Sequence, residues 1–244
     1  MKVAVCFSGG LRNYKHTFEN FKKYLLDPLN ADVFFYGCEN RDGIEKNIID
    51  FNQIYSPKSM YINTKVFYNE LSSKCPGMLT SFIPQVFNIK KCKELVEEYE
   101  IENNFKYDLI IRLRLDCFFF REISEDEIKD ALNGYMIVPK DWAFKEVHPI
   151  AETDQFMLCN RKNYEIYASL YDAIYNYFPN LKHPETIIGS HLDKHKLPVK
   201  QVNRHYVFEY FNSDPNIQPT NFKALGEWQI PNGYNEHNYR KFFD

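Results

Sequence analysis

Arg112, Arg114 and Asp116 stand two residues apart in the segment YDLIIRLRLD, which runs from Tyr107 to Asp116. On a β-strand that spacing puts two guanidiniums and a carboxylate on one face, near the strand's carboxyl end. Three charges on one face of an otherwise apolar strand are costly to bury alone, so they form either a salt-bridge ladder or a site for a polyanion. The polyanion is the stronger reading for the trio, because open α/β sheets bind ligands beyond the carboxyl ends of their strands. A second constellation lies near the start of the chain, at Ser8-Gly9-Gly10-Leu11-Arg12. A glycine turn between a strand and a helix lets backbone N–H groups approach a ligand, and the helix start favours negative charge; phosphate is the natural ligand. Its spacing is neither that of a Walker loop nor that of a dinucleotide fingerprint. A tight strand-to-helix turn with a solvated arginine is the other reading.

Three carboxylates in the later segments, Glu152, Asp154 and Glu185, are candidates for a general base. Asp154, in TDQF, stands near an expected strand start, where an aspartate is frequently a backbone cap. Glu185 follows Pro184 at an expected helix start, where a carboxylate suits the helix dipole in any case. His191 and His195 lie four apart in HLDKH. They lack the glutamate of H-E-x-x-H and are expected as exposed residues on a charged helix.

The elements that must position these groups follow from the apolar pattern. Strands are expected at 2–7, 32–36, 58–63, 135–139, 155–159 and 198–202, and as one long strand through YDLIIRLRLD into the apolar residues after it. Helices are expected at 15–26, 43–51, 161–177 and 184–195. The clearest helix runs from Pro84 to about residue 102, where Val86, Ile89, Cys92, Val96 and Tyr99 recur at spacings of three and four. Residues 64–83 show no period and read as a loop, and the tail from Asn212 reads as an irregular wrap. The strand-helix alternation predicts an α/β fold, and 244 residues suffice for one domain with a substantial core.

A net charge of −3 with interspersed signs offers no electrostatic footprint for nucleic acid. No apolar run approaches the roughly 20 residues that cross a bilayer, and the first residues carry no secretory-signal pattern, so a cytoplasmic location is expected. The six cysteines show no C-x-x-C pair and no zinc-finger spacing, and are expected as reduced, mostly buried thiols.

Four segments in order, VAVCFSGGLRN, DVFFYG, YDLIIRLRLD and TDQFMLCNR, resemble bacterial and viral surface-polysaccharide glycosyltransferases, particularly the WavE-type lipopolysaccharide synthesis group. The resemblance covers roughly the first two thirds of the chain. It implies a single Rossmann-like GT-A domain with a mixed, mainly parallel central sheet flanked by helices. Residues 1–120 would form the nucleotide-sugar donor half, 121–211 the acceptor half and 212–244 the tail. Ser8, Gly9, Gly10, Arg12, Arg112, Arg114 and Asp116 would contact the donor, with Asp154, and after it Glu185, as catalytic residues. Where such enzymes carry a D-x-D motif holding Mn²⁺ or Mg²⁺, this chain has Arg114-Leu115-Asp116. Either Asp116 keeps a metal with water completing its shell, and with His205 as a further ligand, or the arginines hold the diphosphate directly. The implied acceptor is a glycan or glycolipid, which places peripheral membrane association at the inner face of the membrane among the expectations. Two other readings stand beside this one. The SGG turn resembles the S-G-G-x-D-S loop of ATP pyrophosphatases, with Arg12 and Asn13 in place of the acid and the serine. The missing first acid of D-x-D also suits a non-catalytic sugar-binding module on a transferase fold.

Overall fold

The computed structural model describes residues 1–38, 45–63, 67, 69–70, 73, 81–140, 152–177, 181, 183–202 and 206–208. The expected tail from Asn212 and the candidate ligand His205 lie outside the described residues.

The chain opens with β1 (Val3–Ser8), which is buried along its whole length, the pattern of a central strand covered on both faces. Val3, Val5 and Phe7 pack on one side of the sheet, while Ala4 and Cys6 pack on the other. Each large apolar side chain so buried contributes about 1.5–3 kcal/mol. The helix α1 (Tyr14–Phe21) follows and runs on through a π-helical turn (Lys22–Leu26) and a last α turn (Asp27–Leu29). It faces the first core with Phe21 and Leu25, and Phe18 and Leu26 pack against the same cluster. Next come β2 (Asp32–Cys38), α2 (Glu45–Tyr55), β3 (Ser59–Asn63) and the long α3 (Phe82–Glu102). Val86, Ile89, Cys92 and Val96 of α3 are buried against the second core, as their spacing predicts, and Tyr99 packs beside them. The chain continues through β4 (Leu109–Leu113), β5 (Cys117–Phe119), α4 (Glu125–Leu132), β6 (Met136–Pro139), β7 (Phe156–Asn160), α5 (Arg161–Ala168), α6 (Pro184–Lys194), β8 (Val199–Val202) and β9 (Tyr206–Phe208).

The result is an α/β fold around one seven-stranded sheet of order β3-β2-β1-β4-β7-β6-β8, with helices on both faces. The sheet is mixed but mostly parallel. β2, β1 and β4 pair in parallel, as do β2 with β3 and β6 with β8, whereas β7 runs antiparallel to both of its neighbours. The strand order reverses between β1 and β4, a switch point of the kind that opens a crevice at the carboxyl ends of the strands. Because β7 is antiparallel, the residues that enter it arrive at that same end: Leu113, the last residue of β4, faces Phe156, the first of β7.

Two expectations are corrected. The strand through YDLIIRLRLD does not continue to Asp116: β4 ends at Leu113, Arg114 to Asp116 bend, and Cys117–Phe119 pair instead with β9 in a separate two-stranded sheet. Arg112 and Arg114 therefore do not share a strand face through the period of two. The helix expected over 161–177 breaks at Ser169 into α5, a turn at Leu170–Ala173 and a 3₁₀ turn at Ile174–Asn176. The Ser169 hydroxyl donates to the Ile166 carbonyl at 2.7 Å, the local side-chain bond that competes with helix continuation. The thiols of Cys6, Cys92, Cys117 and Cys159 are free and buried, as expected. Among the described residues, no helix is long and apolar enough to cross a membrane.

Candidate functional site

The loop after β1 is shaped by two glycines, one in the loop itself and one on β2. Gly9 has a φ of 128°, a backbone conformation that side chains resist, and its N–H donates to the Tyr36 carbonyl on β2 at 3.2 Å. The neighbouring position on β2 is Gly37, where a Cβ would lie 2.2 Å from the Gly9 carbonyl oxygen and 2.7 Å from the Phe35 ring. Only a glycine lets the loop press this closely on β2. The turn then tightens, with the Arg12 N–H donating to the Gly10 carbonyl at 2.8 Å, and Asn13, at a φ of 48°, leads into α1. Two of the loop's amides are thus spent inside the protein. The expectation that the loop offers a row of N–H groups is corrected to that extent, and what it presents to the sheet end is the Ser8 hydroxyl and the Arg12 side chain.

α1 also fixes the bend at Arg114 to Asp116. Buried Thr17 donates to the Leu115 carbonyl at 2.9 Å. One turn on, the Asn20 amide both donates to the Phe119 carbonyl and accepts its N–H, each at 2.7 Å. An asparagine side chain here takes the place of a strand partner on this edge of β5 and bonds both backbone groups of Phe119. Bend and loop are therefore held by the same helix.

The charged groups meet in a cavity of about 300 Å³, lined by Ser8, Gly9, Gly10, Arg12, Arg112, Arg114, Asp116 and Asp154 together with Ser81, Pro84, Gln85, Asn88 and Leu115. Arg112 is wholly buried. Its Nε donates to the Ser8 hydroxyl at 2.9 Å and its Nη1 to the Asp154 backbone carbonyl, while Nη2, also buried, has no hydrogen-bond partner among the described residues. Arg114 grips Asp116 with a two-pronged bond, Nε to Oδ1 at 2.9 Å and Nη2 to Oδ2 at 2.6 Å. Arg12 reaches the same Oδ2 at 3.3 Å from a side chain that is 58% exposed. Burial works to lower the Arg114 pKa, but the charge and hydrogen bonds of Asp116, helped by Asp154, outweigh it and raise it. Arg114 is a permanent cation.

Asp154 enters the cavity from the residues leading into β7. Its carboxylate accepts from Gln85 Nε2 at 2.9 Å, and the same amide nitrogen donates to its carbonyl at 3.0 Å. Gln85 and Asn88 lie three apart on α3, where they form a polar patch at the helix start above the apolar stripe. Among the described lining residues, three guanidiniums against two carboxylates leave a surplus of one positive charge. The surplus sits deepest at Arg112, whose partners are all neutral.

Of the residues proposed from sequence, Glu185 is not brought to the cavity. It lies in the first turn of α6, and its carbonyl accepts the N–H of Glu152 at 3.0 Å. Glu152 is buried, with its carboxylate accepting from Gln201 at 3.0 Å, and it does not line the cavity either. His191 and His195 lie away from the cavity, and the expectation that both are exposed is corrected for His191. That ring is buried, with its Nδ1 on the Tyr177 hydroxyl at 3.0 Å and its Nε2 on the Ile166 carbonyl at 2.9 Å. Gln85, Asn88 and Gly37 are the site residues that sequence reading missed. The first two interrupt an otherwise apolar helix face beside Pro84, and that interruption was the available signal. Burial pushes the thiols of Cys92, Cys117 and Cys159 up, so they stay protonated and serve as core rather than as nucleophiles.

The family model described as "Domain of unknown function (DUF7796)" matches residues 1–149, more than half of the chain, and the chain belongs to that family. The match takes in the glycine loop, the Arg114–Asp116 bend and the start of α3, and ends before Asp154. No curated protein matches the chain.

Proposed function

We propose that this member of the DUF7796 family is a GT-A-like glycosyltransferase that moves a sugar from a nucleotide-sugar donor to a glycan or lipid-linked acceptor. The observation that carries the reading is Arg112: a wholly buried guanidinium lining the cavity, with one nitrogen lacking a hydrogen-bond partner and no carboxylate bonded to it among the described residues. Arginine does not deprotonate in proteins, so a buried one without an anion is a standing demand for one. The switch point of the sheet, the glycine loop and the positions of Arg12 and Arg114 suit a diphosphate there. A cavity of about 300 Å³ takes the diphosphate and part of what it carries.

In this reading Arg12, Arg112 and Arg114 neutralise charge as it gathers on the leaving diphosphate, which is the largest single contribution a rigid site makes to such a reaction. Asp154 takes the proton of the acceptor hydroxyl. The acceptor oxygen then bonds to the anomeric carbon, and the carbon–oxygen bond to the phosphate breaks with its electron pair leaving on the nucleotide. The amide of Gln85 orients the Asp154 carboxylate for this role. The residues around Asp116 do not suit the Mn²⁺ or Mg²⁺ of a D-x-D site. Both Asp116 oxygens accept from guanidiniums, and a divalent cation would have to enter beside two fixed positive charges. No step here passes through a metal.

Thermal melts of the full chain with UDP, GDP, CMP and their sugar conjugates, followed by assays of nucleotide release, test the reading. A raised melting temperature with one nucleotide group is expected, with release from its sugar conjugate. Asp154→Asn should keep that shift and lose about a hundredfold or more in turnover. Indifference to every one of these compounds at millimolar concentration overturns it.

A further inference from the structure

Asp116 takes a pose that a bound anion would be expected to take. It is nearly buried, it receives the forked bond of Arg114 on both oxygens, and it receives Arg12 as well. A phosphate oxygen pair makes the same contacts with guanidinium forks. The two arginines hold Asp116 unequally. Arg114 is mostly shielded and grips with two nitrogens, whereas Arg12 is mostly exposed and makes one long contact at 3.3 Å. Arg12 can leave for a ligand at little cost; Arg114 stays and is kept aligned. Arg112, one register position before the end of β4, lines the same cavity with a buried nitrogen that has no hydrogen-bond partner among the described residues.

We infer that the cavity is a metal-independent pyrophosphoryl site in which Asp116 is a placeholder for the ligand, aligning Arg114 and restraining Arg12 until phosphate oxygens meet Arg12 and Arg112. The inference rests on reading the cavity as the place of a nucleotide's diphosphate, and goes further by giving Asp116 a role opposite to that of a metal-binding acid. A metal ligand strengthens diphosphate binding and its loss abolishes it. A placeholder competes with the diphosphate, and its loss strengthens binding. Removing one negative charge a few ångströms from the phosphates, in a partly shielded cavity, changes affinity by about tenfold once screening is counted.

Isothermal titration of inorganic pyrophosphate into the full chain decides it, with the wild type and Asp116→Asn each measured in EDTA and in excess Mg²⁺. Circular dichroism confirms that the variant is folded. The wild type is expected to bind in EDTA, and Asp116→Asn to bind about tenfold more tightly. Weaker binding by the folded Asp116→Asn, or wild-type binding that appears only with Mg²⁺, overturns the placeholder and leaves the proposed transferase standing. If the wild type binds neither pyrophosphate nor any nucleoside diphosphate in either buffer, both fall together. Should Asp116→Asn not fold, the wild-type pair of buffers still decides on metal, and Arg12→Gln decides on exchange. Binding in EDTA weakened several-fold by Arg12→Gln supports Arg12 as the arm that moves to the ligand, and unchanged binding refutes it.

Discussion

Two buried arginines sit at opposite ends of the same pair of strands, and they are treated in opposite ways. Arg161 follows β7 where that strand meets the start of β4, while Arg112 lies at the other end of β4, beside the residues that lead into β7. Every guanidinium nitrogen of Arg161 finds a carboxylate. Nε donates to both oxygens of Glu100 at 3.0 and 3.2 Å, Nη1 to Glu165 at 3.1 Å, and Nη2 to Glu97 at 3.1 Å and Glu100 at 3.2 Å. Glu100 in turn accepts from Lys106 and from the Tyr107 N–H. Burial works to raise the Glu100 pKa, but these bonds outweigh it and hold the carboxyl below its usual range. Arg112 has a hydroxyl, a carbonyl and one empty nitrogen. The same residue type in the same sheet is thus complete at one end and incomplete at the other. A completed guanidinium is part of the structure, and in the proposed reading the incomplete one is where the donor's phosphate binds.

The comparison breaks most visibly at Arg161. Arg161→Ala leaves the wholly buried Glu100 carboxylate without its main partner, and loss of one member of a buried pair costs about 3–5 kcal/mol. Urea denaturation should show that loss as a lower midpoint at unchanged slope, and a loss under about 1 kcal/mol would mean that the network is not the structural anchor the comparison requires.

Arg112→Met sharpens the contrast from the other side. Here a buried charge without an anion is replaced by an apolar chain of similar reach, a change that is often neutral or stabilising. Stability is expected within about 1 kcal/mol of wild type in either direction, while pyrophosphate binding by titration is lost. A large destabilisation with binding intact would reverse the assignment of the two arginines.

How far this was legible in the sequence differs between fold and site. The strands and the long α3 were legible because burial on both faces leaves uninterrupted apolar runs and a stripe at spacings of three and four. The site was legible in its members more than in its geometry. Arg112, Arg114 and Asp116 do reach one cavity, but through a bend after Leu113 and not through a shared strand face. The bend depends on Thr17 and Asn20, nearly a hundred residues earlier, whose bonds to Leu115 and Phe119 leave no mark in the local pattern. Asp154 reaches the cavity because β7 is antiparallel, and strand direction is set by the path of the whole chain. The role of Gly37 was hidden for a similar reason, since it answers to Gly9 in the loop after the neighbouring strand.

A third buried basic group, His191, offers the smallest effect and the finest test of the comparison. Like Arg112 it has no carboxylate bonded to it among the described residues; its neighbours there are the Tyr177 hydroxyl, the Ser169 hydroxyl, the Ile166 carbonyl, and the basic residues His195 and Lys194. Unlike arginine, it can shed its proton. Nε2–H donates to the Ile166 carbonyl and Nδ1 accepts from Tyr177, so the neutral ring is satisfied where it lies. Burial therefore lowers its pKa from the ordinary 6.5, only partly offset by the bond to Ile166. In the window just below pH 6.5 the unfolded chain binds a proton that the folded chain refuses, so the stability His191 contributes is present above 6.5 and is lost as pH falls towards the folded value. Melting temperatures between pH 7.5 and 5 should fall less steeply for His191→Gln than for wild type; parallel acid limbs would show that the ring is charged and balanced in the fold. Arg112 has no such escape, and in the proposed reading an anion from solution balances its charge.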